Sequence, residues 1–340
     1  MNPMSYNWKR RHYYIIAAAA ILACMVLCCV LYPILRDANP TDEVRTVYID
    51  NDDTVDSVMD KTQCRMGWKL LMCATKYRVR PGRYEIMPGE RVLGLYRKMR
   101  NGRQSAVRFT VPNVRTMDRL AAQLERKFLN MDSAMVARCF ADPEFCARWG
   151  YSVETLPALF IPDTYEIWWD TSLEDFMNRM QKENGRFWEG RRDSRAKEIG
   201  MSHEEVVTLA SIVDEETADN GEKPMVAGMY MQRLNTGMPL QADPTVKFAL
   251  KDFAKRRIYN NDLTTESPYN TYRNKGLPPG PIRIPSVAGI DAVLNHVKTE
   301  CVYMCAKEDF SGTHNFARTY EEHLRNAKRY TDALNSRNIR

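Results

Sequence analysis

The chain has 340 residues, and at 44% apolar content it can hold two domains with genuine cores. Its net charge of +6 is unevenly divided: residues 1–36 carry four basic and no acidic side chains, and the other 304 residues are nearly balanced. That balance excludes the global electrostatic footprint of a nucleic-acid-binding protein.

The first landmark is Tyr13 to Leu35, an uncharged run of 23 residues. As a helix it would reach roughly 34 Å, enough to cross a hydrocarbon layer with some tilt. Lys9, Arg10 and Arg11 precede it, and Asp37, Asp42 and Glu43 follow. The asymmetry predicts a cytoplasmic tail over residues 1–12, a transmembrane helix over 13–35, and export of everything beyond. A cleaved signal peptide would be shorter and end in small residues, whereas this run closes on Leu-Tyr-Pro-Ile-Leu. A lipoprotein cut at Cys24 is disfavoured by the apolar stretch continuing past it. Six cysteines lie beyond the segment: Cys64, Cys73, Cys139, Cys146, Cys301 and Cys305. In an oxidising compartment they permit three disulfides, with free buried thiols as the alternative. The histidines show no zinc-ligand spacing beside them, so no metal is expected.

Arg45 to Asp50 reads as a strand, and Asp53 and Thr54 can cap a helix from Val55. Tyr77 to Ile86 alternates around Pro-Gly, suggesting a strand pair. A helix over 90–99, an extended run over 106–111 and a helix from Thr116 to Phe128 complete a small α+β module over 44–130. Residues 131–335 read as a second, mainly helical domain. Its helices are expected at 202–219, 222–236 and 286–296, before a closing strand–turn–strand–helix. The long stretch 256–285 carries Ser267-Pro-Tyr-Asn-Thr-Tyr272 and Lys275-Gly-Leu-Pro-Pro-Gly-Pro-Ile282. Loops of that length are usually functional or disordered, and its tyrosines and asparagine suit a sugar and favour an ordered, ligand-facing loop.

In the helix holding Val206 to Thr217, residues Leu209, Ile212, Val213 and Glu216 fall at i, i+3, i+4 and i+7. Glu216 thus extends an apolar stripe, where lost hydration should raise its pKa towards that of a general acid. Asp214 and Glu215 are expected to face solvent or the helix flank. On periodicity alone, a buried glutamate satisfied by Arg233 remains an alternative.

Ala210-Ser-Ile-Val-Asp-Glu-Glu-Thr217 resembles the signature of the endolytic murein transglycosylase family, also called YceG-like. So do Met238-Pro-Leu-Gln-Ala-Asp-Pro-Thr-Val246, Ser267 to Tyr272, Gly276 to Ile282, Leu159-Phe-Ile-Pro-Asp-Thr-Tyr165, and His314-Asn-Phe316 with His323. The resemblance covers residues 45–330 in order. It implies a membrane-anchored peptidoglycan lyase with a LysM-like module and a lytic-transglycosylase-like catalytic domain, cutting nascent strands internally without a cofactor. The family's catalytic glutamate falls on Glu216. Family members often carry Glu where this chain has Asp214; the two positions do not share a helix face with Glu216. Substrate-binding candidates are Gln241, Asp243, Thr245, Tyr269, Asn270 and Tyr272, with Asp163 read as a cap. The implied partners are peptidoglycan glycan strands and, in the cytoplasmic membrane, cell-wall synthases or division proteins. Two other readings stay open: a hydrolase using a second carboxylate such as Asp243, and a non-catalytic envelope scaffold.

Overall fold

The computed structural model describes residues 3–75, 77–255 and 257–337. Met1 and Asn2 of the expected tail, and Arg256 of the long loop, lie outside the described residues. The described chain is a mixture of helices and small two-stranded sheets, divided into two units.

The first unit comprises residues 1–108 and 166–171. Helix α1 (Pro3–Leu35) contains a stretch, Arg10–Leu35, long and apolar enough to cross a membrane, with a mean hydropathy of 2.8 over its most apolar 18 residues. Beyond it, the chain is stitched to the unit without slack. Val92 N–H donates to Arg36 O at 3.0 Å, Ala38 N–H to Glu90 O at 2.7 Å, and Gly89 N–H to Asn39 O at 3.0 Å. Asn39 is itself buried and gives its amide to Glu43 O and Ile86 O.

Strand β1 (Arg45–Ile49) is followed by α2 (Val55–Thr62), capped by the Thr54 hydroxyl, and by α3 (Arg65–Ala74). The expected pair over Tyr77–Ile86 does not form. Only β2 (Gly82–Ile86) is a strand, and it pairs antiparallel with β1, Arg45 opposite Ile86. Pro81 has no N–H for a ladder, and the sheet's partner comes from β1 instead. Helix α4 (Val92–Arg100) closes a core in which Trp68 packs edge-on against Tyr77 and Tyr96. Gly67 approaches the end of α1 so closely that a Cβ would stand 2.4 Å from Pro33 O.

The chain passes between the units along β3 (Val107–Thr110) and β4 (Thr164–Ile167). The second unit, residues 109–165 and 172–340, therefore takes in part of the stretch that the sequence groups with the small module. Its early helices are α5 (Met117–Glu125), α6 (Ser133–Phe140) and α7 (Pro143–Arg148). Then come α8 (Leu173–Trp188) and α9 (Arg191–Glu198). At its centre lies α10 (His203–Glu216), started by a full capping box between Ser202 and Glu205. Every residue from Val206 to Val213 is buried. Around it pack α11 (Lys223–Asn235), α12 (Asp243–Leu250) and α13 (Val287–Leu294). The hairpin β5 (Tyr303–Ala306) and β6 (His314–Ala317), with Ala306 opposite His314, precedes α14 (Tyr320–Ser336).

No cysteine pair is bonded; all nine thiols are free. Cys64 is buried while Cys73, at the other end of α3, is exposed, so that pair does not share a face.

Candidate active site

Helix α10 stops at Glu216 because Thr217 turns to extended backbone (φ −141°, ψ 137°). Its last turn thus carries three consecutive carboxylates where the helix dipole is negative and disfavours them. The fold treats each differently. Asp214 meets Lys223 Nζ at 2.7 Å, their side chains only 4% and 7% exposed, and accepts from the Ser286 amide and hydroxyl. A Cβ on Gly289 would lie 2.5 Å from Asp214 Oδ1, so the close approach requires glycine. Glu215 accepts a bidentate pair of bonds from Arg115 at 2.8 and 2.7 Å and a further one from Arg283 at 2.9 Å. Of the two placements expected for these side chains, solvent or the helix flank, solvent is excluded: both are held in ion pairs.

Glu216 has no cation within ion-pair distance among the described residues. Its Oε1 accepts one hydrogen bond, 2.7 Å long, from the Tyr230 hydroxyl of α11. Burial pushes its carboxyl up from 4.5 to about 7; the Tyr230 bond opposes this, and the negative charge of Asp243 adds to it. His314 and Lys247 pull weakly the other way.

The carboxyl opens into a cavity of about 230 Å³, whose polar lining includes Tyr230, Arg233, Gln241, Asp243, Tyr272 and His314. Arg233 is not the partner of Glu216. It is buried, and it donates to the carbonyls of Val302 (2.6 Å), Pro239 (3.1 Å) and Leu240 (2.8 Å) and to Gln241 Oε1 (3.1 Å). Gln241, held at φ +50°, is fixed from the other side by its N–H to Thr271 O. Tyr272 donates to Asp243 Oδ1 at 2.6 Å. Across the cavity, His314 Nδ1 lies 3.0 Å from Glu222 Oε2, and Glu222 Oε1 accepts from the His314 amide.

Of the six substrate-binding candidates, the structure brings Gln241, Asp243 and Tyr272 to this cavity, and it places the other three elsewhere. Asn270 is wholly buried; its amide donates to Leu263 O and Thr265 O, and its Oδ1 accepts from Tyr272 N–H. Thr245 is also fully buried, bonded to Ala242 O and the Thr271 hydroxyl. Both hold the loop that presents Tyr272 rather than facing a ligand. Tyr269 packs 4.7 Å from Phe248 in a different cavity. Asp163 precedes strand β4 and caps no helix; its Oδ1 accepts from the adjacent Thr164 amide.

Sequence reasoning missed Tyr230 as the partner of Glu216 and Glu222 as the partner of His314. Tyr230 and Arg233 stand at i and i+3 on α11, a shared face that was the available signal.

The YceG-like family profile matches residues 47–329 of this chain. An endolytic murein transglycosylase of Bacillus subtilis strain 168 is 36% identical over 168 residues, 49% of this chain and 46% of that protein. The enzyme of the same name from Streptococcus pneumoniae strain D39 is 26% identical over 251 residues, 66% of this chain and 44% of its own length. The chain thus spans about half the length of these relatives. A crystal structure of a YceG-like protein from Listeria monocytogenes superposes with a TM-score of 0.58 at 26% identity, covering 84% of this chain and 99% of that one.

Proposed function

The chain belongs to the YceG-like family, and on that premise we propose that it is a membrane-anchored endolytic peptidoglycan lytic transglycosylase with Glu216 as its catalytic group. The observation that carries the reading is a carboxyl ion-paired to nothing among the described residues, raised by burial to about 7, in the lining of a polar cavity. A hydrolase generally needs two carboxylates. A lytic enzyme can use one, because the sugar's own 6-hydroxyl takes the place of water.

Glu216 first donates its proton to the glycosidic oxygen between N-acetylmuramic acid and N-acetylglucosamine. The resulting carboxylate then takes the proton of the muramyl 6-hydroxyl as that oxygen closes on C1. The new end is a 1,6-anhydromuramyl ring, and the strand is terminated without net hydrolysis. Tyr230 stabilises the carboxylate between the two steps. Asp243, oriented by Tyr272, supplies negative charge beside the oxocarbenium-like sugar, and Gln241 offers a hydrogen bond to it.

In the same reading α1 spans the cytoplasmic membrane with residues 1–12 inside and the rest outside. The 44–130 stretch is a LysM-like glycan-binding module, and 131–335 is the catalytic domain. Cell-wall synthases or division proteins are the partners that suit a strand-terminating enzyme.

Asp243 in the same cavity gives the two-carboxylate hydrolase its one specific support. Digestion of purified sacculi separates the readings, since hydrolytic and anhydro products differ in mass by one water. Anhydromuramyl products that vanish in Glu216→Gln are expected; reducing ends, or unchanged release from the variant, overturn the proposal.

A further inference from the structure

We propose that a second cavity, of about 330 Å³ in the same unit, is a remote subsite holding an N-acetylated pyranose of the strand being cut; this rests on the glycan-cutting reading above. Phe248, Phe253 and Tyr269 line it together with Pro157 and Pro281. The Phe248 ring lies 4.7 Å from that of Tyr269 and 6.2 Å from that of Phe253, and the Arg115 guanidinium sits 5.6 Å from the Phe253 centroid. A wall of aromatic rings and C–H groups, edged by both cationic (Arg115, Lys251, Arg283) and acidic (Asp118, Glu154) side chains, matches the apolar face of a sugar, the methyl of its acetamido group and its polar hydroxyl rim.

Helix α12 ties this trough to the catalytic cavity. Asp243 borders the cavity of Glu216, Lys247 lines a small cleft with Glu215 and Phe253, and Lys251 borders the trough. Asp243 and Lys247, four residues apart, share one face of the helix, and Lys251 is its left-handed C-cap. From Asp243 to Leu250 the rise is about 10 Å, close to the length of two β-linked sugar rings. The ion pairs of Glu215 point the same way: both of its arginines, Arg115 and Arg283, edge the trough, while the next residue is Glu216. A strand whose scissile linkage meets Glu216 therefore lays a ring two units away onto Phe253 and Tyr269. That remote grip lets the site select the interior of a strand over its tip.

The test uses the full chain in detergent, with peptide-stripped glycan strands of at least about eight sugars compared against the shortest oligosaccharide the wild type still cuts. Phe253 is part-exposed in the loop after α12, and Phe253→Trp keeps a ring for stacking while Phe253→Ala removes it. We expect Phe253→Ala to lower kcat/KM on long strands about tenfold, mainly through KM, with little change on short ones and near-normal behaviour of Phe253→Trp. Equal loss on both lengths, or no loss on long strands, overturns the subsite. So does a loss confined to strands that still carry peptide stems, which would assign the trough to peptide. If the wild type cuts no strand at all, the reaction is refuted separately. Calorimetric binding of long strands to Glu216→Gln, with and without Phe253→Ala, then decides the subsite alone.

Discussion

Replacing Glu216 with glutamine should make the protein more stable, and only above about pH 4.5. In the folded chain burial lifts this carboxyl from 4.5 to about 7, so the native state holds a proton that the unfolded chain releases. Below pH 4.5 both states are protonated and the group costs nothing. As pH rises towards 7 the unfolded chain ionises first, and native stability falls throughout that window. The full cost, reached above pH 7, is at most about 3 kcal/mol for a shift of this size. Glu216→Gln removes the titration. Its gain over the wild type should be near zero at pH 4.5 and grow to about 3 kcal/mol at pH 8, or several degrees in Tm. Urea unfolding of the full chain in detergent, followed by tryptophan fluorescence at both pH values, measures it. A gain of the same size at pH 4.5 and pH 8 would refute the proton-storage argument, whatever the variant's activity.

Tyr230→Phe deletes the one hydrogen bond that favours the Glu216 carboxylate, so the alkaline limb of the pH–rate profile should move upward. A downward shift, or none, would show that the hydroxyl does not act on that group. Lys223→Met strands Asp214 in an enclosed site and should cost about 3 kcal/mol in urea unfolding; a loss below 1 kcal/mol would count against the pairing. Asn270→Ala removes the clamp on the loop that delivers Tyr272 and should cost about 2 kcal/mol, with reduced turnover on sacculi. Full stability in that variant would return Asn270 to the ligand-facing role first expected of it.

The burial of Glu216 was legible in the sequence, because helical periodicity puts it at the end of an apolar stripe. What periodicity could not show is how its two neighbours are neutralised. Arg115 and Arg283 lie far along the chain from Glu215, and such pairings depend on tertiary contact alone. The same limit explains the misplaced loop residues. Asn270 and Tyr272 are two positions apart, yet one satisfies buried carbonyls and the other faces the cavity. Short polar side chains bind backbone as readily as ligand, and composition does not distinguish the cases. The strand over Gly82–Ile86 was visible, but its partner was not, since a hairpin through Pro81 and a pairing with Arg45–Ile49 make the same local pattern.

The seam from Arg36 to Asn39 has a mechanical consequence. With α1 in a bilayer, the first globular unit is mounted on a stiff post instead of swinging on a leash. If it binds glycan as proposed above, it would do so only within a thin slab at constant height above the lipid. Inserting a flexible spacer after Arg36 would break that seam and let the unit sample other heights.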